Sequence, residues 1–203
     1  MWHINKQKIH TIRQNNRQDI AKARSPNTIG WYPSYPRSDN YRPATRNYFL
    51  MINNHSTFLT QHVEILRASY AHWTGESDFD EAIGQKNAVE ALFAAPFAVL
   101  SHGIGTDPIF NYGNQLALDL FEMSWEEFTA LPSRLSAEVI NQEERAKLLA
   151  TVTQNGYINN YSGIRIAKSG RRFIIRNATV WNLLTPDGQY YGQAALIRNY
   201  EYL

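Results

Sequence analysis

In the stretch RFIIRNATVWNL, residues 172 to 183, aromatic, aliphatic and hydrogen-bonding side chains alternate. As a strand it puts Phe173, Ile175, Asn177, Thr179 and Trp181 on one face and Ile174, Arg176, Ala178, Val180 and Asn182 on the other. The first face is the bulkier and sets an amide and a hydroxyl among apolar groups. That mixture suits a small molecule enclosed by shape and oriented by a few hydrogen bonds. Tyr161 and Gln193 fall on the neighbouring predicted strands, so Asn177, Thr179, Trp181, Gln193 and Tyr161 form the candidate ligand-binding set. The competing reading is ordinary core, with Asn177 and Thr179 bonded to nearby backbone and Trp181 filling space.

Other chemistry finds little support. The chain has no cysteine, which removes thiolate nucleophiles, disulfides and cysteine-based metal sites. His55, His62 and His72 are seven and ten residues apart, not the four that pairs helical metal ligands. His102-Gly103-Ile104-Gly105 reads as turn chemistry, with His102 bonded to backbone, and it lacks the third glycine of a dinucleotide fingerprint. Glu126-Glu127 and Glu143-Glu144 fall in first helical turns, where they complement the helix dipole. No catalytic residue and no metal ligand is assigned.

The elements that must position these residues follow from periodicity. From Ser56, Phe58, Val63, Leu66, Tyr70 and Trp73 make one apolar stripe that Gly75 ends, and Ser77 to Asp80 reads as a capping box opening a second helix over residues 79–94. A hairpin of Phe97 to Ser101 and Ile109 to Tyr112 comes next. Asn114 caps a helix, Ser124 and Glu127 box a short one, and Asn141 and Glu144 repeat the box before a longer helix stopped by Asn155-Gly156. Strands over 158–167, 172–183 and 189–197 finish the chain, joined by Lys168-Ser169-Gly170 and Pro186-Asp187-Gly188.

Charge divides the chain in two. Residues 1–50 carry nine Lys/Arg against two Asp/Glu, and residues 51–203 carry eleven against sixteen. The first part, rich in Pro, Asn and Tyr, is read as a basic disordered arm with no recognition motif for nucleic acid, or as an upstream extension with Met51 as the start. The second part is one globular domain. Neither a secretory h-region nor an apolar run long enough to span a bilayer occurs, and the expected location is the cytoplasm.

The segments VLSHG, DPIFNYGNQLALDLFEMSWEEFTALPSRLSAE, GYINNYSGIRIAKSGRRF and ATVWNLL resemble the MEKHLA domain, a module similar to Per-Arnt-Sim (PAS) sensor domains. Over Ser56 to Ile197 the likeness implies an α+β fold: a PAS-like five-stranded antiparallel sheet with helices on one face, preceded by two N-terminal helices and the arm. It further implies a sensory or regulatory module of the standalone bacterial type, binding a small molecule or a protein partner without catalysis. The alternatives are a filled-core dimerisation module and an enzyme of unknown type. By the same likeness helices 56–73 and 79–94 are the candidate homodimer seam, although their stripes could equally cover their own core. No cofactor is assigned. A flavin-thiol adduct is excluded by the missing cysteine, leaving non-covalent flavin, and residues 142–154 hold no histidine to serve as an axial haem ligand.

Overall fold

Residues 46–76 and 87–203 are described by the computed structural model. The arm up to residue 45 and the Ser77 to Asp80 capping box lie outside the described residues. Helix α1, Arg46–Thr74, begins before the expected Ser56 and is kinked beside it, where His55 leaves helical geometry at φ −122°, ψ 17°. Leu59, Val63, Leu66 and Tyr70 form its buried stripe, and Gly75, at φ +72°, closes it by donating to the Ala71 carbonyl at 3.0 Å. Helix α2, Ala88–Phe93, opens on Asn87, whose non-helical backbone and side-chain oxygen accepting from the Val89 N–H break the single helix expected over residues 79–94; residues 77–86 lie outside the described residues.

Strands β1, Ala98–His102, and β2, Phe110–Gly113, form the opening hairpin. Helix α3, Gln115–Phe121, starts on Asn114, and helix α4, Trp125–Phe128, starts on the expected Ser124/Glu127 capping box. A 3-10 turn over Ser133–Ser136 leads to helix α5, Val139–Asn155. This helix opens on Glu138, ahead of the predicted Asn141, and ends as expected at Gly156, at φ +93°. Strands β3, Tyr157–Ile166, β4, Arg172–Leu184, and β5, Tyr190–Ile197, follow, and a sixth strand, β6, Asn199–Tyr202, pairs with the first half of β4.

The sheet order is β2-β1-β5-β4-β3 with all pairs antiparallel. The late strand β5 inserts beside the first, so β1 and β4 flank it. This is the PAS arrangement, two strands, then helices, then three strands closing the sheet. Phe110, Phe121, Phe128 and Phe173 form an aromatic cluster beneath the hairpin, with Phe110 stacked on Phe128 at 4.3 Å and Phe121 edge-on to Phe173 at 5.2 Å.

Helix α5 covers one face of the sheet and α1 the other. Trp181 meets Tyr70 of α1 edge-on at 5.2 Å, whereas its neighbour Asn182 donates to the Val152 carbonyl of α5 at 3.0 Å. Adjacent residues of one strand point to opposite faces, so the two helices sandwich the sheet. The stripe that nominated a dimer seam is therefore spent within the chain, since Leu66 and Tyr70 are buried against its own sheet.

His62 anchors α1 to the sheet. Ser101 donates to Asn111 at 2.7 Å, which leaves its oxygen to accept from Nε2 of His62 at 2.8 Å. The imidazole is stacked on Phe58 and tilted against Tyr112, and burial pulls its pKa down to about 4. The unfolded chain gains a proton here as pH falls below 6.5, whereas the folded chain resists until about 4. Stability is therefore full above pH 6.5 and falls through that window, by roughly 3 kcal/mol in total. His102, also held below its usual value mainly by burial, adds in the same direction. Urea midpoints at pH 7 and about pH 4.5 check this, and His62→Gln is expected to flatten the difference.

Candidate functional site

The alternation on β4 does not run unbroken. Asn177 has φ +51°, and the β3–β4 register shifts between Ile158 and Tyr161 and again between Tyr161 and Gly163. Tyr161 pairs with Ala178 but Gly163 pairs with Ile175, so β4 spends an extra residue at Arg176-Asn177. Strand β3 makes the compensating bulge at Asn159-Asn160, because Ile158 pairs with Val180. Each bulge reverses the faces of its own strand. Phe173 and Ile175 thus share the α5 face with Ala178, Val180 and Asn182, and Thr179 and Trp181 turn to the α1 face.

This reorders the five sequence-nominated residues. Asn177 is exposed at the bulge, its backbone N–H donating to Ser162 Oγ at 3.2 Å. Thr179 and Trp181 are buried on the α1 face, away from the other nominees. Tyr161 and Gln193 do lie together on the α5 face, where they line a cavity of about 50 Å³. The shared-face expectation is corrected because a single αL residue in mid-strand shifts the period by one.

The cavity lies between the five strands β1 to β5 and the helices α3 and α5, with Ser136 of the 3-10 turn also in its lining. Leu100, Phe110, Phe121, Ile175 and Val180 make it mostly apolar. One end is closed by an amide bridge. Gln193 Nε2 donates to Asn182 Oδ1 at 3.0 Å and to the Leu149 carbonyl at 3.0 Å, and Asn182 Nδ2 donates to the Val152 carbonyl. These contacts tie β4 and β5 to the last turns of α5. Asn182, which the unbroken alternation placed on the opposite face from the candidate set, is therefore the partner of Gln193.

The other polar wall consists of residues that the strand pattern did not nominate. Arg165 on β3 donates to the Tyr161 hydroxyl at 2.7 Å and to the Ile164 carbonyl at 2.8 Å. Gly163, between them on the same face, leaves the room this needs, since a Cβ there would collide with the Tyr161 hydroxyl. Arg145 enters from α5 and is buried, and desolvation, with Arg165 nearby, pulls its pKa down to about 10. His102 is buried at the end of β1, with Nδ1–H donating to the Gly103 carbonyl at 2.9 Å, the backbone bond expected of it. Its Nε2 has no partner among the described residues.

A sequence signal for this wall exists. Arg145 shares a stripe with Leu148, Leu149 and Val152, a position where a lone cation faces the core, and Tyr161, Gly163 and Arg165 alternate along one strand face.

At about 50 Å³ the cavity is far smaller than the three fused rings of a flavin, and the amides of Asn182 and Gln193 are turned to α5. Non-covalent flavin does not fit. Among the described residues no cluster of potential metal ligands occurs, and no helix is long and apolar enough to cross a membrane.

Homeobox-leucine zipper protein ATHB-9 of Arabidopsis thaliana is 27% identical over 130 residues, which span 60% of this chain but 15% of that protein. A solved PAS domain from Colwellia psychrerythraea has 16% identity and a TM-score of 0.46, covering 54% of this chain and 91% of its own. A light-oxygen-voltage domain solved in a study with a flavin analogue has 14% identity and a TM-score of 0.47, covering 59% and 86%. The MEKHLA domain model matches residues 60–202, from the middle of α1 to β6 and across every element that lines the cavity, and the chain therefore belongs to the MEKHLA domain family.

Proposed function

We propose that the domain is a PAS-like sensory module that takes a small molecule into the cavity between α5 and the sheet and performs no reaction on it. The observation that carries this reading is the cavity itself. A mostly apolar hollow between α5 and the sheet has Tyr161, Gln193, His102, Arg145 and Arg165 in its lining. Tyr161 and Gln193 are the two sequence-nominated residues kept in the proposed site.

The finer parts of the reading belong with it: a standalone module of the bacterial type, located in the cytoplasm, with the basic arm separate from the domain. A homodimer through the leading helices would have to use the exposed side of α1, around Gln61, Glu64 and Ala68. Equilibrium sedimentation decides that point.

The test of ligand binding is native mass spectrometry under mild and denaturing conditions, with Ala195→Leu as the blocking variant. Ala195 faces the cavity from β5, so the larger side chain fills it. A small molecule retained by the wild type and by Asn177→Ala, and lost in Ala195→Leu, is the expected result. If the wild type retains nothing and gives no thermal-shift hit, the filled-core interaction module is the better reading.

A further inference from the structure

Arginines in this domain pair with carboxylates on the surface and not in the interior. Arg134, Arg171, Arg172 and Arg176 reach Asp107, Glu122, Glu138 and Glu201 at 3.0 to 3.4 Å, all with substantial exposure. Arg145 and Arg165 are only 9% and 7% exposed, and neither forms an ion pair with any described residue. Arg165 has the Tyr161 hydroxyl and one carbonyl, whereas Arg145 has no hydrogen-bond partner among the described residues. Burying a guanidinium is costly without a compensating anion, and two of them near each other repel. Both line the same cavity.

Resting on the reading of this cavity as the ligand site, we propose that its ligand is a small carboxylate. The carboxylate is held between Arg145 and Arg165 beside the Tyr161 hydroxyl, and a short carbon chain lies toward Leu100 and Phe110. A guanidinium matches a carboxylate in planar geometry and makes charge-assisted bonds to both oxygens. The size agrees. A water needs roughly 10–15 Å³ of the same measure, so about 50 Å³ holds a ligand of a few non-hydrogen atoms, such as propionate or lactate. His102 narrows the class further. With Nδ1–H spent on the Gly103 carbonyl, Nε2 offers a lone pair with no described donor, and a hydroxyl on the carboxylate's chain supplies one. A 2-hydroxy acid satisfies both the cations and the imidazole.

The test uses the full chain, refolded from denaturant to remove bound compounds, in calorimetric and thermal-shift titrations near neutral pH with sodium lactate, sodium propionate, lactamide and sodium chloride. Both carboxylates are expected to bind and raise the melting midpoint, lactate more tightly than propionate, with lactamide at least about tenfold weaker than lactate and chloride without effect. His102→Phe is expected to bring lactate down to the level of propionate and leave propionate unchanged. Arg145→Met is expected to abolish carboxylate binding and to raise the midpoint of the ligand-free protein, because it removes an uncompensated buried charge. Should that variant not fold, Arg145→Lys keeps the charge, loses the planar fork and is expected to weaken lactate about tenfold. Lactamide binding as tightly as lactate overturns the anion assignment and leaves the cavity as a ligand site. Chloride competing on equal terms with lactate reduces the cations to an adventitious ion site and also overturns it. Binding of none of the four probes, together with no retained molecule in native mass spectrometry, overturns both readings.

Discussion

Trp181→Ala lowers the unfolding free energy by about 3–5 kcal/mol, the cost of emptying a large core site that the surroundings only partly refill. Trp181 is fully buried, and its contact with Tyr70 joins the middle of the sheet to α1. Urea denaturation is expected to show a lower midpoint with little change in slope. Ligand retention per folded molecule stays at the wild-type level, because Trp181 faces away from the cavity. Loss of the ligand with unchanged stability would show that the ring belongs to the site and that the strand faces are misassigned.

Asn114→Ala is expected to cost at least as much. This side chain is completely buried and serves four backbone groups from three directions. Its oxygen accepts from the N–H of Val99 at 2.9 Å and of Ala117 at 3.1 Å, and its nitrogen donates to the carbonyls of Leu92 at 3.2 Å and Phe97 at 2.7 Å. Alanine strands the Val99 and Ala117 N–H groups and the Phe97 carbonyl in a site closed to solvent, whereas the Leu92 carbonyl keeps the Ala95 N–H; at about 1–3 kcal/mol for each stranded group before relaxation, a loss of about 4 kcal/mol or more is expected. Asn114→Ser restores only the helix cap and recovers about 1 kcal/mol. Hydrogen exchange at the Val99 amide separates the effects, since its protection is expected to fall in both variants. Persistent protection in the serine variant would mean that the cap is all that Asn114 provides.

The residue also shows how far sequence reasoning reaches. A helix N-cap is a local event, so Asn114, the Ser124/Glu127 box and the Gly156 stop were legible from neighbours within a few positions. The same holds for the turns at Gly170 and Gly188, both at positive φ, and for the element order that the family likeness implied. That Asn114 also clamps α2 to β1 was not legible, because Leu92 and Phe97 come to it only through the packing of that corner.

Which face each strand residue takes was decided by tertiary structure. Period-two alternation assumes one residue per step, and nothing in RNAT announces the bulge at Asn177 except the known tolerance of asparagine for αL backbone. One slipped position sent Thr179 and Trp181 to α1, brought Asn182 against Gln193 and left Asn177 in solvent. The gathering of Arg145, Arg165, Tyr161 and His102 around one hollow is likewise long-range, joining a helix to the first strand of the chain and to β3 at the sheet's edge. The sequence by itself determined most of the elements, the caps at Asn114, Ser124/Glu127 and Gly156, and the order, because these depend on local backbone geometry and on hydrophobic period; β6 and the opening of α5 on Glu138 it did not determine. Only the folded chain decided which polar groups share a cavity and which cations lack a carboxylate, because those depend on register and on distances between residues far apart along the chain.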